Sequence, residues 1–180
     1  MTPTRRTFLS AAAASAGLGA LTPRPTLASA AERAQQARRG SDPWIQVDTA
    51  ALRANATSLA ALAGGRPILA VIKNNGYGLG TVEVARALDG HQALAGFAVV
   101  KVSAALALRN AGIELPVLHM GATTPGESTE LVAADVRLSA FQDSDPVHIG
   151  GLAESFRKRI PVHVYVDTGM RRLGMPAHRA

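Results

Sequence analysis

Two short segments set reactive side chains beside glycines directly after apolar runs. The first is Lys73-Asn74-Asn75-Gly76-Tyr77-Gly78-Leu79-Gly80, which follows Pro67 to Ile72 (PILAVI). A lysine at the mouth of a buried strand is poorly solvated, which favours the neutral, nucleophilic amine. Such an amine can form a Schiff base with an aldehyde cofactor. The glycines let backbone N–H groups approach an anion closely, and Tyr77 offers a hydroxyl to a phosphate oxygen. The lysine precedes the glycines, so the order is not that of a Walker A loop. Taken alone, the pattern also fits a tight strand-helix turn with a surface lysine.

The second segment is Asp167-Thr168-Gly169-Met170-Arg171-Arg172-Leu173-Gly174, directly after Pro161 to Val166 (PVHVYV). An aspartate at a strand end, a glycine turn and two arginines can orient an acidic or phenolic group of a ligand. A capped loop with solvated arginines fits the same residues. Other candidates carry less. His119 lies within an apolar run and reads as a core histidine. His148, His163 and His178 lack the spacing of a metal site, and none is assigned. Lys101 reads as solvent-facing, and Arg157-Lys158-Arg159 as a solvated helix end. There is no G-x-S-x-G or Walker A motif, and no cysteine to supply a thiolate.

The elements that must position these loops alternate. Trp44 to Asp48 reads as a short strand, and Asp48 or Thr49 can cap the helix that follows. Ala50 to Ala63 sets Leu52, Ala56, Leu59 and Leu62 on one face and stops at Gly64-Gly65. Five apolar runs follow: Pro67 to Ile72, Gly96 to Val100, Leu115 to Met120, Val136 to Phe141 and Pro161 to Val166. Between them lie helical patterns over Thr81 to Leu88 and near Ser103 to Ala111, Gly126 to Ala134 and Pro146 to Phe156. Continuous apolar strands alternating with amphipathic helices predict a parallel sheet buried on both faces. A doubly wound sheet and a (β/α)8 barrel both fit, and periodicity does not separate them. In either, sites lie at the C-terminal ends of the strands.

Charge is unevenly placed along the 180 residues, whose net charge is +6. Met1 to Gly40 holds six arginines and one glutamate, a surplus of five positive charges, so one remains for all the rest. The later chain has no excess to drive phosphate-backbone binding, and with one Trp, two Tyr and four Phe it offers few platforms for base stacking. Nucleic acid is therefore not an expected partner. The early surplus includes Arg5-Arg6, which precedes Phe8-Leu9, an Ala-rich apolar stretch to Leu21, and Ala28-Ser29-Ala30. A charged region, a short apolar region and an A-x-A site are the parts of an export signal. The pair of arginines resembles the twin-arginine type. The apolar stretch is too short and too weakly apolar for a spanning helix, so no stable membrane anchor is expected. Residues 1–30 are thus read as a cleavable signal and 31–43 as a linker, with a periplasmic or cell-envelope destination.

Together, AVIKNNGYGLG around Lys73, VDTGMRRLG from Val166 to Gly174 and the opening WIQVDTAALRAN from Trp44 to Asn55 resemble the alanine racemase family. These are pyridoxal 5'-phosphate (PLP) enzymes built on a (β/α)8 barrel. The resemblance covers about Trp44 to Met175, in the family's order and separations. It implies that residues 44–180 form the first part of a PLP-binding barrel, about five strands of it. The family continues through three more strands and a β domain. It further implies that Lys73 holds PLP covalently, that Tyr77 hydrogen-bonds its phosphate, and that Val71 packs beside its ring. Arg172 reaches the phenolic oxygen, and Met170 lines the pocket near the substrate carboxylate. The implied reaction interconverts L- and D-alanine by two-base proton exchange at Cα. Lys73 serves one face and a tyrosine from the partner subunit's β domain the other, in a homodimer. Tyr165 stands where many members have a lysine that helps hold the arginine; Asn74, Gly76 and Leu79 are lesser departures. A broad-specificity amino-acid racemase, a PLP-binding remnant without activity, and a plain phosphate-binding α/β domain are the competing expectations.

Overall fold

The computed structural model describes residues 45–178. The expected export signal (1–30) and linker (31–43), and Trp44, lie outside the described residues. Helix α1 (Thr49–Leu62) opens the described part and is capped by Asp48, whose carboxylate accepts a hydrogen bond from Ala51 N at 3.0 Å. Four βα steps and a fifth strand follow: β1 (Ile68–Val71), α2 (Thr81–Leu88), β2 (Leu94–Val99), α3 (Val102–Asn110), β3 (Val117–His119), α4 (Pro125–Ala133), β4 (Leu138–Ala140), α5 (Asp145–Phe156) and β5 (Val162–Val164). Two short strands, β6 (Val166–Asp167) and β7 (Met175–Pro176), bracket the last loop.

Every pairing is parallel. β1 sets Leu69 opposite Gly96 on β2, and β2 sets Phe97 opposite Val117 on β3. A bridge from Leu118 to Arg137 joins β3 to the start of β4, and β4 sets Leu138 opposite Val162 on β5. The spatial order is therefore 1-2-3-4-5. A doubly wound sheet reverses its order at a switch point; these strands step in one direction throughout. That is the winding of a (β/α)8 barrel, of which this is a part.

The core lies between one face of the strands and the helices. Phe97, Val99, Val117, Leu138 and Ala140 meet Ala85 and Leu88 of α2, Leu108 of α3, Leu131 and Val132 of α4, and Ile149 of α5. β2 and β3 approach so closely that a Cβ at Gly96 would stand 2.3 Å from the Pro116 carbonyl oxygen, which accepts from Phe97 N at 2.8 Å. Gly96 also has φ +152°, so both space and backbone require glycine there. Helix α4 begins in a capping box: Thr124 Oγ1 accepts from Glu127 N at 3.3 Å, and Glu127 Oε2 accepts from Thr124 N at 2.8 Å.

Three expectations need correction. Ile45 to Asp48 is not a strand, since no neighbouring strand pairs with it among the described residues. The buried face of α1 is Ala56 and Ala60 with Leu52 beside them, whereas Leu59 and Leu62 are 54 % and 86 % exposed. Spacing of four keeps Leu52, Ala56 and Ala60 on one stripe, and Leu62 turns well away from it. Lys158 is not simply solvated: its Nζ donates to Val132 O at 2.7 Å and pairs with Asp135 at 2.6 Å.

Candidate active site

β1 ends at Val71, and the chain then turns with the rarer hand. Asn74, Asn75, Gly76 and Tyr77 have φ of 54°, 55°, 60° and 55° in succession. Left-handed backbone costs a typical residue roughly 1–2 kcal/mol, and asparagine and glycine tolerate it best. The Asn-Asn-Gly sequence fits that requirement. Local bonds hold the turn: Gly76 N donates to Ile72 O at 3.2 Å, Gly80 N to Asn75 O at 2.8 Å, and Thr81 N to Asn75 Oδ1 at 3.3 Å. Gly76 is buried, and a Cβ there would lie 3.3 Å from both Thr81 N and Val84 Cγ2, so the turn sits hard against the start of α2.

The turn leaves Lys73 half-buried at the strand's C-terminal end and the Tyr77 side chain 63 % exposed. Ala70 and Ile72 pack into the helix-side core, so Val71 between them lies on the opposite face, partly exposed. Lys73, Tyr77 and Val71 are thus brought together at one strand end.

Past β5, Tyr165 N continues the ladder by donating to Ala140 O at 2.9 Å. The Tyr165 ring lies against Phe141, centroids 4.7 Å apart and planes tilted by 55°. An aromatic pair therefore occupies the position where the resemblance implies a lysine. The carboxylate of Asp167 is committed to its own loop, accepting from Gly169 N at 2.8 Å and Arg171 N at 3.0 Å. Those N–H groups, Arg171 first and Gly169 next, hold the carboxyl below its ordinary range. The loop lies over the ends of β3 and β4, where Leu173, Ser128, Ser139, Phe141 and Asp145 line a cavity of about 170 Å³. Met170 is 77 % exposed, and Arg172 is exposed with no hydrogen bond or ion pair among the described residues. Met170 and Arg172 share this loop, past β5 and four strands away from the β1 end that carries Lys73, and no hydrogen bond joins the two loops among the described residues.

His119 is a core histidine, 1 % exposed, with neither ring nitrogen hydrogen-bonded. Burial pushes its pKa below the ordinary value, against the opposing pull of the Val100 backbone, Glu127 and the Gly121 backbone. Sequence reasoning misses the left-handed run after Lys73 and the internal role of Asp167. The signal for the first is the pair of asparagines before Gly76; for the second, an aspartate two residues before a glycine, the pattern of an Asx turn.

Parallel βα units wound in one direction, with an amine and a phenol at one C-terminal strand end and a guanidinium at another, define part of a (β/α)8 barrel. The profile described as "Alanine racemase, N-terminal domain" matches residues 47–180, and the chain belongs to that family. Its relatives include the alanine racemase of Desulforamulus reducens, 36 % identical over 133 residues, covering 73 % of this chain and 35 % of that protein. The alanine racemase of Syntrophobacter fumaroxidans is 38 % identical over 134 residues, covering 74 % and 36 %. Among solved structures, alanine racemase of Clostridium difficile 630 superposes with a TM-score of 0.63 at 31 % identity, covering 68 % of this chain and 32 % of that one. The enzyme from Streptomyces lavendulae gives 0.65 at 29 % identity, covering 73 % and 34 %. The chain spans about a third of the length of the curated relatives it matches.

Proposed function

We propose that this chain supplies the cofactor-binding part of a PLP-dependent amino-acid racemase that interconverts L- and D-alanine and is exported by the twin-arginine route. The observation that carries this reading is the turn after β1, which holds Lys73 half-buried beside an exposed Tyr77 in a chain of the alanine racemase family. The donor set fits PLP. Lys73 Nζ is an amine that can condense with an aldehyde. The Tyr77 hydroxyl can donate to a phosphate oxygen. Val71 offers an apolar side chain at the same strand end for a ring face. Arg172, engaged with nothing else among the described residues, has a guanidinium free for the phenolic oxygen. Met170 would lie beside the substrate carboxylate.

When bound, PLP makes the Cα proton of an attached amino acid acidic. Lys73 Nζ takes or returns that proton on one face. The opposite face needs a second base, and the family resemblance assigns it to a tyrosine of the partner subunit in a homodimer. Asp167 keeps the Arg172 loop in shape by holding its backbone N–H groups. Residues 1–30 act as the export signal and 31–43 as a linker, which places the enzyme in the periplasm or cell envelope.

A second reading, a racemase of broader amino-acid range, draws on the export signal, because alanine racemisation for wall precursors is cytoplasmic. Incubating protein produced from its own gene with PLP and either L-alanine or L-lysine tests both. D-alanine alone supports the first reading, and both D-products the second. A visible cofactor band with no turnover would make the protein a PLP binder without racemase activity. No band at all would leave a phosphate-binding α/β domain.

A further inference from the structure

The strand ends opposite Lys73 carry a second concavity. A cavity of about 270 Å³ opens where Pro116, Arg137 and Pro161 lead into β3, β4 and β5. Arg109, Arg137, Lys158 and Arg159 bring four cations to its walls, and Glu114 and Asp135 bring two carboxylates. These charges are unequally engaged. Arg109 donates to the carbonyls of Ile113 at 2.7 Å, Leu115 at 2.9 Å, Asp135 at 3.0 Å and Ala134 at 3.2 Å, closing the ends of α3 and α4. Lys158 is taken up by Asp135 and by the Val132 carbonyl. The guanidinium groups of Arg137 and Arg159 make no hydrogen bond and no ion pair with any described residue, Arg137 being held in the ladder by its backbone alone, and Glu114 lies beyond ion-pair reach of either.

Arg137 is half-buried, between Val136 and Leu138, which both pack into the core. Its charge is felt by its neighbours. It adds to the burial that lowers Arg109, and it is the second cause, after burial, that lowers His163. A half-buried guanidinium facing like charges is unfavourable without a counter-charge. Its planar fork matches the oxygens of phosphate or carboxylate.

We propose that this cavity binds a small oxyanion carrying two or more negative charges, held by Arg137 and Arg159 with Lys158 at its edge. The site is separate from the one around Lys73, since parallel strands put the two at opposite ends. The test is calorimetric titration at low ionic strength of protein produced from its own gene, with pyrophosphate and citrate as separate probes. Saturable binding of at least one probe is expected. Arg137→Gln and Arg159→Gln should each weaken it by about tenfold or more. Arg86→Gln, on the exposed side of α2, should leave it unchanged, and so should Lys73→Ala. Binding of both probes means the site reads charge; binding of pyrophosphate alone means it reads phosphate geometry. The probe should also raise the Tm of the unsubstituted protein and not that of Arg159→Gln, whose exposed side chain can be changed without disturbing the fold. The proposal is overturned by the absence of saturable binding, by binding indifferent to both arginine substitutions, or by binding lost in Lys73→Ala.

Discussion

His119 shows how a single residue ties fold to pH. It fills a core position, yet both ring nitrogens lack partners. Burial is the largest cause lowering its folded-state pKa below the ordinary 6.5. The unfolded chain therefore binds more protons than the folded one as pH falls through that value, so stability is lost in that direction. His119→Leu removes both the titration and the unsatisfied nitrogens at similar volume. In protein produced from its own gene it should flatten the fall in Tm between about pH 7 and pH 5. An unchanged pH slope in the variant would show that His119 does not titrate on unfolding.

At the scale of elements, two glycines do different work. Gly76 lets the turn after Lys73 lie against α2, and Gly96 lets β2 and β3 approach. Gly96→Ala would force a methyl into the Pro116 carbonyl and strain the backbone, so urea unfolding of protein produced from its own gene should show a loss of about 2 kcal/mol or more. A loss below about 0.5 kcal/mol, within the range of ordinary surface substitutions, would mean the strands can part there at little cost. The alternation of strand and helix is legible in the sequence because buried parallel strands read as unbroken apolar runs, as PILAVI and PVHVYV do. The order of the strands is not legible that way, since a doubly wound sheet and a barrel bury the same pattern. Alternation misleads at Ile45 to Asp48 because a strand exists only against a neighbour. It misleads on α1 because the large leucines draw the eye while the helix seats on small alanines. The two loops are legible as sites from residue type and position at strand ends. The left-handed geometry joining Lys73 to Tyr77 is not, because Asn-Asn-Gly permits a turn without fixing its hand over four residues.

For the molecule as a whole, the winding leaves β1 paired only with β2, and β5 with β4, among the described strands. Unpaired edges expose backbone donors and acceptors, and Val71, on the strand face away from the helices, is 41 % exposed. A barrel covers that face by closing. Residues 1–180 expressed by themselves should therefore aggregate or unfold without a sharp transition, with no significant racemisation. A soluble fragment that melts cooperatively and interconverts alanine enantiomers would contradict this. The proposed export is a separate matter of the whole molecule. Replacing Arg5 and Arg6 together by lysine should retain the protein in the cytoplasm, as read by fractionation; export at the original level would reject the twin-arginine assignment.

The central claim is that Lys73, at the end of the first barrel strand, is the residue that holds PLP. Borohydride treatment of the PLP-loaded protein, followed by peptide mass mapping, tests it most directly. A phosphopyridoxyl mass is expected on the peptide carrying Lys73, and neither the adduct nor the visible cofactor band in Lys73→Ala. An adduct on another lysine, or a band and adduct that persist in Lys73→Ala, would contradict it.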